Sequence, residues 1–301
     1  MIEINFGVHW LSFTVHASRE VAFMIYDSLF KSTFGDLEEL GHGGRGFKEI
    51  FHSLLEFKIY VTPSHETKDE YFHFEIPGQA CELLLWKYLQ GLESLLSSNY
   101  PNCYSYKRID LAFDNCPFTP SQVEEAIIEV KARSLAKRES LEIHISPFAL
   151  RENGEEGTHT VNFGDRSSER MIRVYDKRGF TRLELELKDK RADLVARQLF
   201  QADDISKWYE IMVRHLRDFV DFETPWWGEF VGSIGRAWAI VSSPKDIEME
   251  SILNWLDHQV MPALSVVVDT QPEEVMKILI ERGRERRGSK YNLLLDKKDN
   301  G

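Results

Sequence analysis

Residues 160–188 read T-V-N-F-G-D-R-S-S-E-R-M-I-R-V-Y-D-K-R-G-F-T-R-L-E-L-E-L-K. The alternation is interrupted at Arg178-Gly179, a polar–glycine pair of the kind that closes a β-hairpin. Side chains alternate across a strand. Met171, Arg173, Tyr175 and Lys177 therefore share one face, opposite Ile172, Val174 and Asp176. In the partner strand Leu183, Leu185 and Leu187 face the core, while Arg182, Glu184, Glu186 and Lys188 share the other side. A tyrosine hydroxyl between two cations, beside a strand with two carboxylates, has the parts for attack on a phosphodiester. The tyrosine would attack phosphorus and keep the DNA end as a covalent ester. Arg173 and Lys177 would hold the charge of the phosphate.

Neighbouring strands must complete such a site. Residues 104–114 alternate Ile109, Leu111, Phe113 against Asp110, Ala112, Asp114, and residues 141–146 alternate Leu141, Ile143, Ile145 against Glu142, His144, Ser146. Carboxylates gathered on three strands suit Mg²⁺ or Mn²⁺, hard cations that take oxygen ligands, with histidine allowed for manganese. Such an ion would polarise the scissile phosphate. Taken singly, each residue has a plainer reading. Asp110 and Asp114 read as surface charges, Glu184 and Glu186 as cross-strand partners of Arg173 and Lys177, His144 as a packing histidine, and Tyr175 as an ordinary strand aromatic. Only the constellation supports chemistry. Trp226-Trp227 reads as core or interface rather than a base-stacking platform.

The composition frames this reading. In 301 residues, 43% are hydrophobic and 29% charged, as in a globular protein. No apolar run approaches the roughly 20 residues that span a bilayer. The first ten residues read as a strand rather than a signal sequence, so the expected location is the cytoplasm. Cys81, Cys103 and Cys116 have no C-x-x-C spacing, which supports neither a disulfide framework nor a zinc knuckle. A net charge of −12 argues against a surface that binds DNA indiscriminately. Any nucleic-acid contact must use local basic patches, notably residues 166–191 and 282–290.

The chain in order predicts an α+β protein of two tandem antiparallel-sheet units with helices packed on one face, RRM-like or rolling-circle-nuclease-like, followed by a mostly helical C-terminal region. Expected boundaries are 1–100 for an N-terminal α+β domain, 101–222 for the catalytic domain and 223–301 for the helical region. In the first unit, Leu11, Phe13 and Val15 alternate with Trp10, Ser12 and Thr14, residues 51–61 and 71–76 read as strands, and residues 80–96 as one helix. In the second, Thr119-Pro120 opens a helix, and helices follow the hairpin at about 191–200 and 204–219. Amphipathic helices are expected at 247–264 and 271–286. Gly41-His42-Gly43-Gly44-Arg45-Gly46 lacks the Gly-Lys-Ser/Thr ending of a Walker A loop and reads as a flexible turn.

With these residues in view, the chain resembles the Rep_trans replication initiators of rolling-circle plasmids and the related relaxases of conjugative elements. The resemblance rests on G-V-H-W-L-S-F-T from Gly7, F-H-F-E-I-P-G-Q-A-C from Phe72, R-I-D-L-A-F-D from Arg108, F-G-D-R-S-S-E-R-M-I-R-V-Y-D-K from Phe163 and T-R-L-E-L-E-L-K from Thr181. His9 departs from it, where the family's opening motif often has Asp. The resemblance implies a site- and strand-specific, metal-dependent nick at a double-strand origin through a 5′-phosphotyrosyl intermediate. It places the nucleophile on Tyr175 and the metal ligands on Asp110, Asp114, Glu142 and Glu184, with His144 and Glu186 next in line. It also implies a homodimer, with origin recognition by the C-terminal part, where Arg282, Arg284, Arg286, Arg287 and Lys290 supply charge; Arg166 and Arg170 add basic residues nearer the hairpin. Expected partners are the double-stranded origin, the nicked single strand and a host helicase, with no membrane. Two alternatives remain: a relaxase acting at a transfer origin, and a non-catalytic nucleic-acid-binding module on an RRM-like sheet. Tyr104 and Tyr106 are the other tyrosines that could serve as nucleophile, although only Lys107-Arg108 flank them.

Overall fold

A computed structural model of the chain describes residues 4–65, 70–129, 132–133, 143–146, 159–164, 166–177, 179–232, 261–270 and 272–285. Its strands are β1 (Asn5–Val15), β2 (Glu38–Glu39), β3 (Phe47–His52), β4 (Lys58–Pro63), β5 (Phe72–Ile76), β6 (Tyr104–Asp114), β7 (Ala132–Arg133), β8 (Ile143–Ser146), β9 (Thr160–Phe163), β10 (Arg170–Lys177), β11 (Phe180–Lys188) and β12 (Asp221–Phe222). The helices are α1 (Arg19–Leu29), α2 (Lys31–Phe34), α3 (Gly78–Cys81), α4 (Trp86–Asn99), α5 (Pro120–Ile128), α6 (Asp189–Phe200), α7 (Ser206–Phe219) and α8 (Pro225–Gly232), then Met261–Thr270 and Glu273–Glu285.

The expected α+β architecture is present: an antiparallel sheet with helices against its apolar face. Ten strands form one sheet in the order β2-β3-β4-β5-β1-β6-β11-β10-β9-β8. β1 and β6 pair antiparallel, joining the strands of the first half to those of the second without a gap. One face carries Leu11, Phe13, Ile109, Leu111, Phe113, Val174, Leu183 and Leu185, all nearly or fully buried in the main core with the inner faces of α6 and α7. The other carries the polar set. Trp227 is 2% exposed and belongs to the core, as expected.

Local signals explain several boundaries. Thr119 caps α5 in a reciprocal capping box with Gln122, and Pro120 takes the first turn. Gly179 supplies φ +97° in the β10–β11 turn, a conformation open to glycine. Two expectations are corrected. The single strand expected at 51–61 is two, β3 and β4, reversed around Leu55 and Glu56, both at positive φ. The single helix expected at 80–96 is interrupted: α3 ends at Cys81, and Leu85 takes extended backbone before α4. Helical spacing of leucines persists through the break, so periodicity alone could not reveal it.

Behind the sheet, Glu93 of α4 is 2% exposed and accepts hydrogen bonds from the hydroxyls of Tyr104 (3.0 Å) and Tyr106 (2.8 Å) and from Gln201 Nε2 (2.7 Å). Arg197 stands 3.8 Å away and lies over the Tyr104 ring. A buried acceptor shared by several donors leaves all of them unsatisfied when removed. Glu93→Leu is expected to lower unfolding stability by about 3–5 kcal/mol, read by denaturant titration.

Candidate active site

The antiparallel registers bring the polar residues into rows. Tyr175 is opposite Arg182, which is opposite Asp114; Arg173 is opposite Glu184; and Glu186 is opposite Asp110. Two β-bulges adjust the pattern. One falls between Ser12 and Phe13 in the β1–β6 register, where Ser12 pairs with Arg108 and Phe13 with Tyr106. It keeps Tyr106 in the core while Arg108 and Asp110 stay on the polar face. The other falls between Val8 and Trp10. The extra residue is His9, and a bulge re-aims a side chain out of the alternation. The His9 ring reaches the polar face, its Nδ1 3.0 Å from Glu184 Oε1 and its Nε2 3.8 Å from Glu82 Oε1. Gly78 makes room for it: a Cβ there would lie 2.3 Å from the ring.

Tyr175 is partly buried and points toward the carboxylates, its hydroxyl donating to Glu184 Oε1 at 2.8 Å. Burial, then the Glu184 charge and hydrogen bond, push the phenol above its ordinary value. Burial works to raise the Glu184 carboxyl, but the hydrogen bond and charge of His9, the charge of Arg173 and the Tyr175 hydrogen bond outweigh it and hold the group down at about 2. Lys177 reaches Glu82 Oε1 at 3.3 Å, and burial and the neighbouring Arg182 lower its ammonium. Glu82, at the end of α3, and His9 are site residues that strand alternation missed. His9 was visible only as a departure from the family motif, and Glu82 carried no local signal.

Arg173 organises the acidic cluster. Its Nη2 lies 3.0 Å from Asp110 Oδ2, 3.2 Å from Glu184 Oε2 and 3.4 Å from Glu186 Oε2. Arg108 binds both oxygens of Asp110, at 2.8 and 2.7 Å, and its Nη2 lies 2.8 Å from Glu186 Oε2. Lys188 reaches Glu186 Oε1 at 2.9 Å. Asp114 stands apart, held by the Arg182 fork at 2.5 and 2.6 Å. Burial raises the Asp110 carboxyl, against the opposing pull of Arg108 and Arg173. The carboxylates Glu82, Asp110, Asp114, Glu184 and Glu186 are thus matched by Arg108, Arg173, Lys177, Arg182 and Lys188, so this face is not an unopposed acidic surface.

This bears on a metal. Among the described residues, no group of three His, Cys, Asp or Glu side chains is closed down to ion-binding distances. The oxygens of Asp110, Glu184 and Glu186 converge instead on a guanidinium nitrogen, at 3.0–3.4 Å, where Mg²⁺ or Ca²⁺ would require about 2.0–2.6 Å. The donor chemistry suits a hard divalent ion, with a cationic side chain standing at the point of convergence. Glu142 lies outside the described residues. His144 is placed by its backbone alone, opposite Asn162, which is opposite Arg173.

The basic residues divide. Arg170 is tied to Asp218 at 3.0 Å and lies over the Phe219 ring. Arg166, Arg282 and Arg284 are exposed, while Arg286, Arg287 and Lys290 lie outside the described residues. Tyr104 and Tyr106 sit on the helix-covered face with Glu93, away from the Tyr175 cluster.

The polar face continues onto β5, where His73 Nδ1 is 3.0 Å from Thr14 Oγ1. Burial, then the charges of Arg45 and Lys107, push the imidazole down to about 4. The unfolded chain, with an ordinary histidine near 6.5, then binds the proton first as pH falls. The His73 contribution is complete above pH ~6.5 and drains away toward pH ~4, a loss of about 3 kcal/mol. His73→Gln should flatten that part of the stability–pH curve.

The sheet thus presents a tyrosine, cations and carboxylates on one face and packs its helices on the other. A profile of the Rep_trans family, described as replication initiation factor, matches residues 105–281, and the chain belongs to that family. The putative DNA relaxase NicK of Bacillus subtilis (strain 168) is 23% identical over 224 residues, covering 65% of this chain. The match spans 62% of that relative's own length. A solved rolling circle replication initiator protein from Geobacillus stearothermophilus has the same fold, with TM-score 0.60 and 23% identity, over 77% of this chain and 96% of that one. Among the described residues no helix is long and apolar enough to cross a membrane.

Proposed function

We propose that the chain nicks and rejoins one strand of an origin DNA, with Tyr175 as nucleophile and a 5′-phosphotyrosyl intermediate. The observation that carries this reading is the Tyr175 hydroxyl, 2.8 Å from Glu184 Oε1, on the face that also bears Arg173, Lys177 and Arg182. Family membership and the relaxase relative support it.

In the resting arrangement the phenol stays protonated, because its acceptor is a weak base. Arg173 links substrate to base. A scissile phosphate drawing that guanidinium outward removes one of the charges holding Glu184 down, so the base strengthens as DNA docks. Glu184 then takes the phenolic proton, Tyr175 Oη bonds to phosphorus, and the P–O3′ bond breaks. The leaving oxygen takes a proton from water and becomes a free 3′-hydroxyl. Attack by a 3′-hydroxyl on the phosphotyrosine reverses the sequence and restores Tyr175. Arg173 and Lys177 hold the phosphoryl charge. Asp110 and Glu186 would hold Mg²⁺ or Mn²⁺, and the ion would polarise the phosphate.

Supercoiled DNA carrying the origin of the chain's own genetic element tests this. Nicked circles with protein on the 5′ end are expected in Mg²⁺ or Mn²⁺ and not in EDTA. Tight single-strand binding in EDTA with no cleavage in either metal would favour the non-catalytic module instead. The charge matching on the polar face removes one objection to that module, since the face does not repel phosphate as a bare acidic surface would. Replication and transfer origins call for the same chemistry, and cleavage of one and not the other separates initiator from relaxase.

A further inference from the structure

β5 pairs with β1 only along Leu11–Val15, so the preceding half of β1 has no β5 neighbour. A cavity of about 380 Å³ opens there, small for a ligand site but roomy for one planar heterocycle. Phe6, Trp86 and Trp208 are among its walls. Trp208 is 3% exposed, with its indole N–H on Leu199 O, so the partly buried Phe6 and Trp86 supply most of the aromatic surface. Gly7 and its cross-strand partner Ala112 also line it, and a Cβ on Gly7 would meet no atom within 4 Å. Glycine within a strand marks a place where something approaches the backbone closely.

The polar end of this cavity is the wall of the tyrosine site. Arg182 lines the cavity, is 3% exposed and pairs in register with Tyr175. Its Nε and Nη2 hold Asp114, but its buried Nη1 makes no hydrogen bond, and its nearest carboxylate oxygen, Glu184 Oε1, is 3.5 Å away. That nitrogen has almost no accessible surface and stands against Glu184, on the tyrosine side of the shared wall.

We propose that this cavity receives one unstacked nucleobase of the DNA strand flanking the scissile phosphate, held against the aromatic walls with its polar edge toward the end lined by His9, Glu82, Asp114 and Arg182. The substrate class rests on the nicking reading above. Aromatic side chains stack on any base. Unstacking a base costs a few kcal/mol, which stacking on the aromatic walls would offset. The pocket then sets which phosphate lies over Tyr175, making it a specificity element for the cut site.

The test compares the wild-type chain with Gly7→Val, which adds a side chain into open space and suits a strand. Both are incubated, with divalent ion, with single-stranded oligonucleotides spanning the cut site, each carrying one abasic position. One abasic position beside the cut is expected to lower wild-type cleavage roughly tenfold or more. Gly7→Val should lower cleavage of the intact strand by a similar factor and be indifferent to that abasic position. Wild-type cleavage by a folded Gly7→Val chain, or the same abasic profile in both, overturns the pocket and leaves the tyrosine chemistry standing. If neither chain cleaves, the nicking reading fails, and quenching of tryptophan fluorescence by the intact oligonucleotide decides the pocket. Quenching lost in Gly7→Val supports it; equal quenching in both overturns it.

Discussion

Tyr175→Phe is expected to abolish covalent attachment to DNA and to lower nicking by on the order of 10³-fold or more, since the remaining groups can position a phosphate but not attack it. The substitution keeps the ring and removes only the hydroxyl that donates to Glu184. Glu184 retains His9 at 3.0 Å and Arg173 at 3.2 Å, so it is not stranded. The stability loss should be about 1.5–3 kcal/mol, typical of one hydrogen bond to a charged group. Origin binding should survive, because the cations stay in place. A variant that binds as before, folds as before and forms no adduct separates chemistry from recognition; gel shift, circular dichroism and denaturing electrophoresis of the DNA read the three properties.

Arg108→Leu should produce the largest loss of stability among single changes at the site. Arg108 lies over the Trp10 ring, 4.6 Å from its centroid, and binds Asp110 and Glu186, which are 2% and 4% exposed. Removing one member of a buried ion cluster leaves charge without compensation and costs about 3–5 kcal/mol. Arg173 and Lys188 remain close to these carboxylates but cannot replace the bidentate grip on Asp110. Because burial raises the Asp110 carboxyl, the deficit relative to wild type should shrink as the medium is acidified and that group is neutralised. Arg108→Lys should recover only part of the loss, since an ammonium lacks the planar fork. Denaturant titrations at neutral and acid pH measure both effects; an equal deficit at both would mean that lost packing on Trp10, rather than stranded charge, explains it.

The hairpin was legible because both its strands alternate strictly and a glycine marks the turn. From that alternation follow the shared face of Arg173, Tyr175 and Lys177 and the opposed Arg182, Glu184 and Glu186. Register was not legible. The sequence offers Glu184 and Glu186 as cross-strand partners of Arg173 and Lys177, but nothing in it states that Arg173 would fall among Asp110, Glu184 and Glu186 together. His9 escaped because a bulge breaks the two-residue period at that point. Glu82 escaped because its position depends on the interruption between α3 and α4, inside a run of leucines that carries no stop signal. The joining of both halves through β1 and β6 is likewise a long-range pairing that local pattern does not encode.

The most direct test of the central claim is to trap the protein–DNA adduct on origin DNA, digest both components and identify the modified residue by mass spectrometry. A phosphotyrosyl peptide containing Tyr175, with the DNA joined through its 5′ phosphate, is expected. Attachment at Tyr104, Tyr106 or any other residue, or joining through a 3′ phosphate, would contradict it.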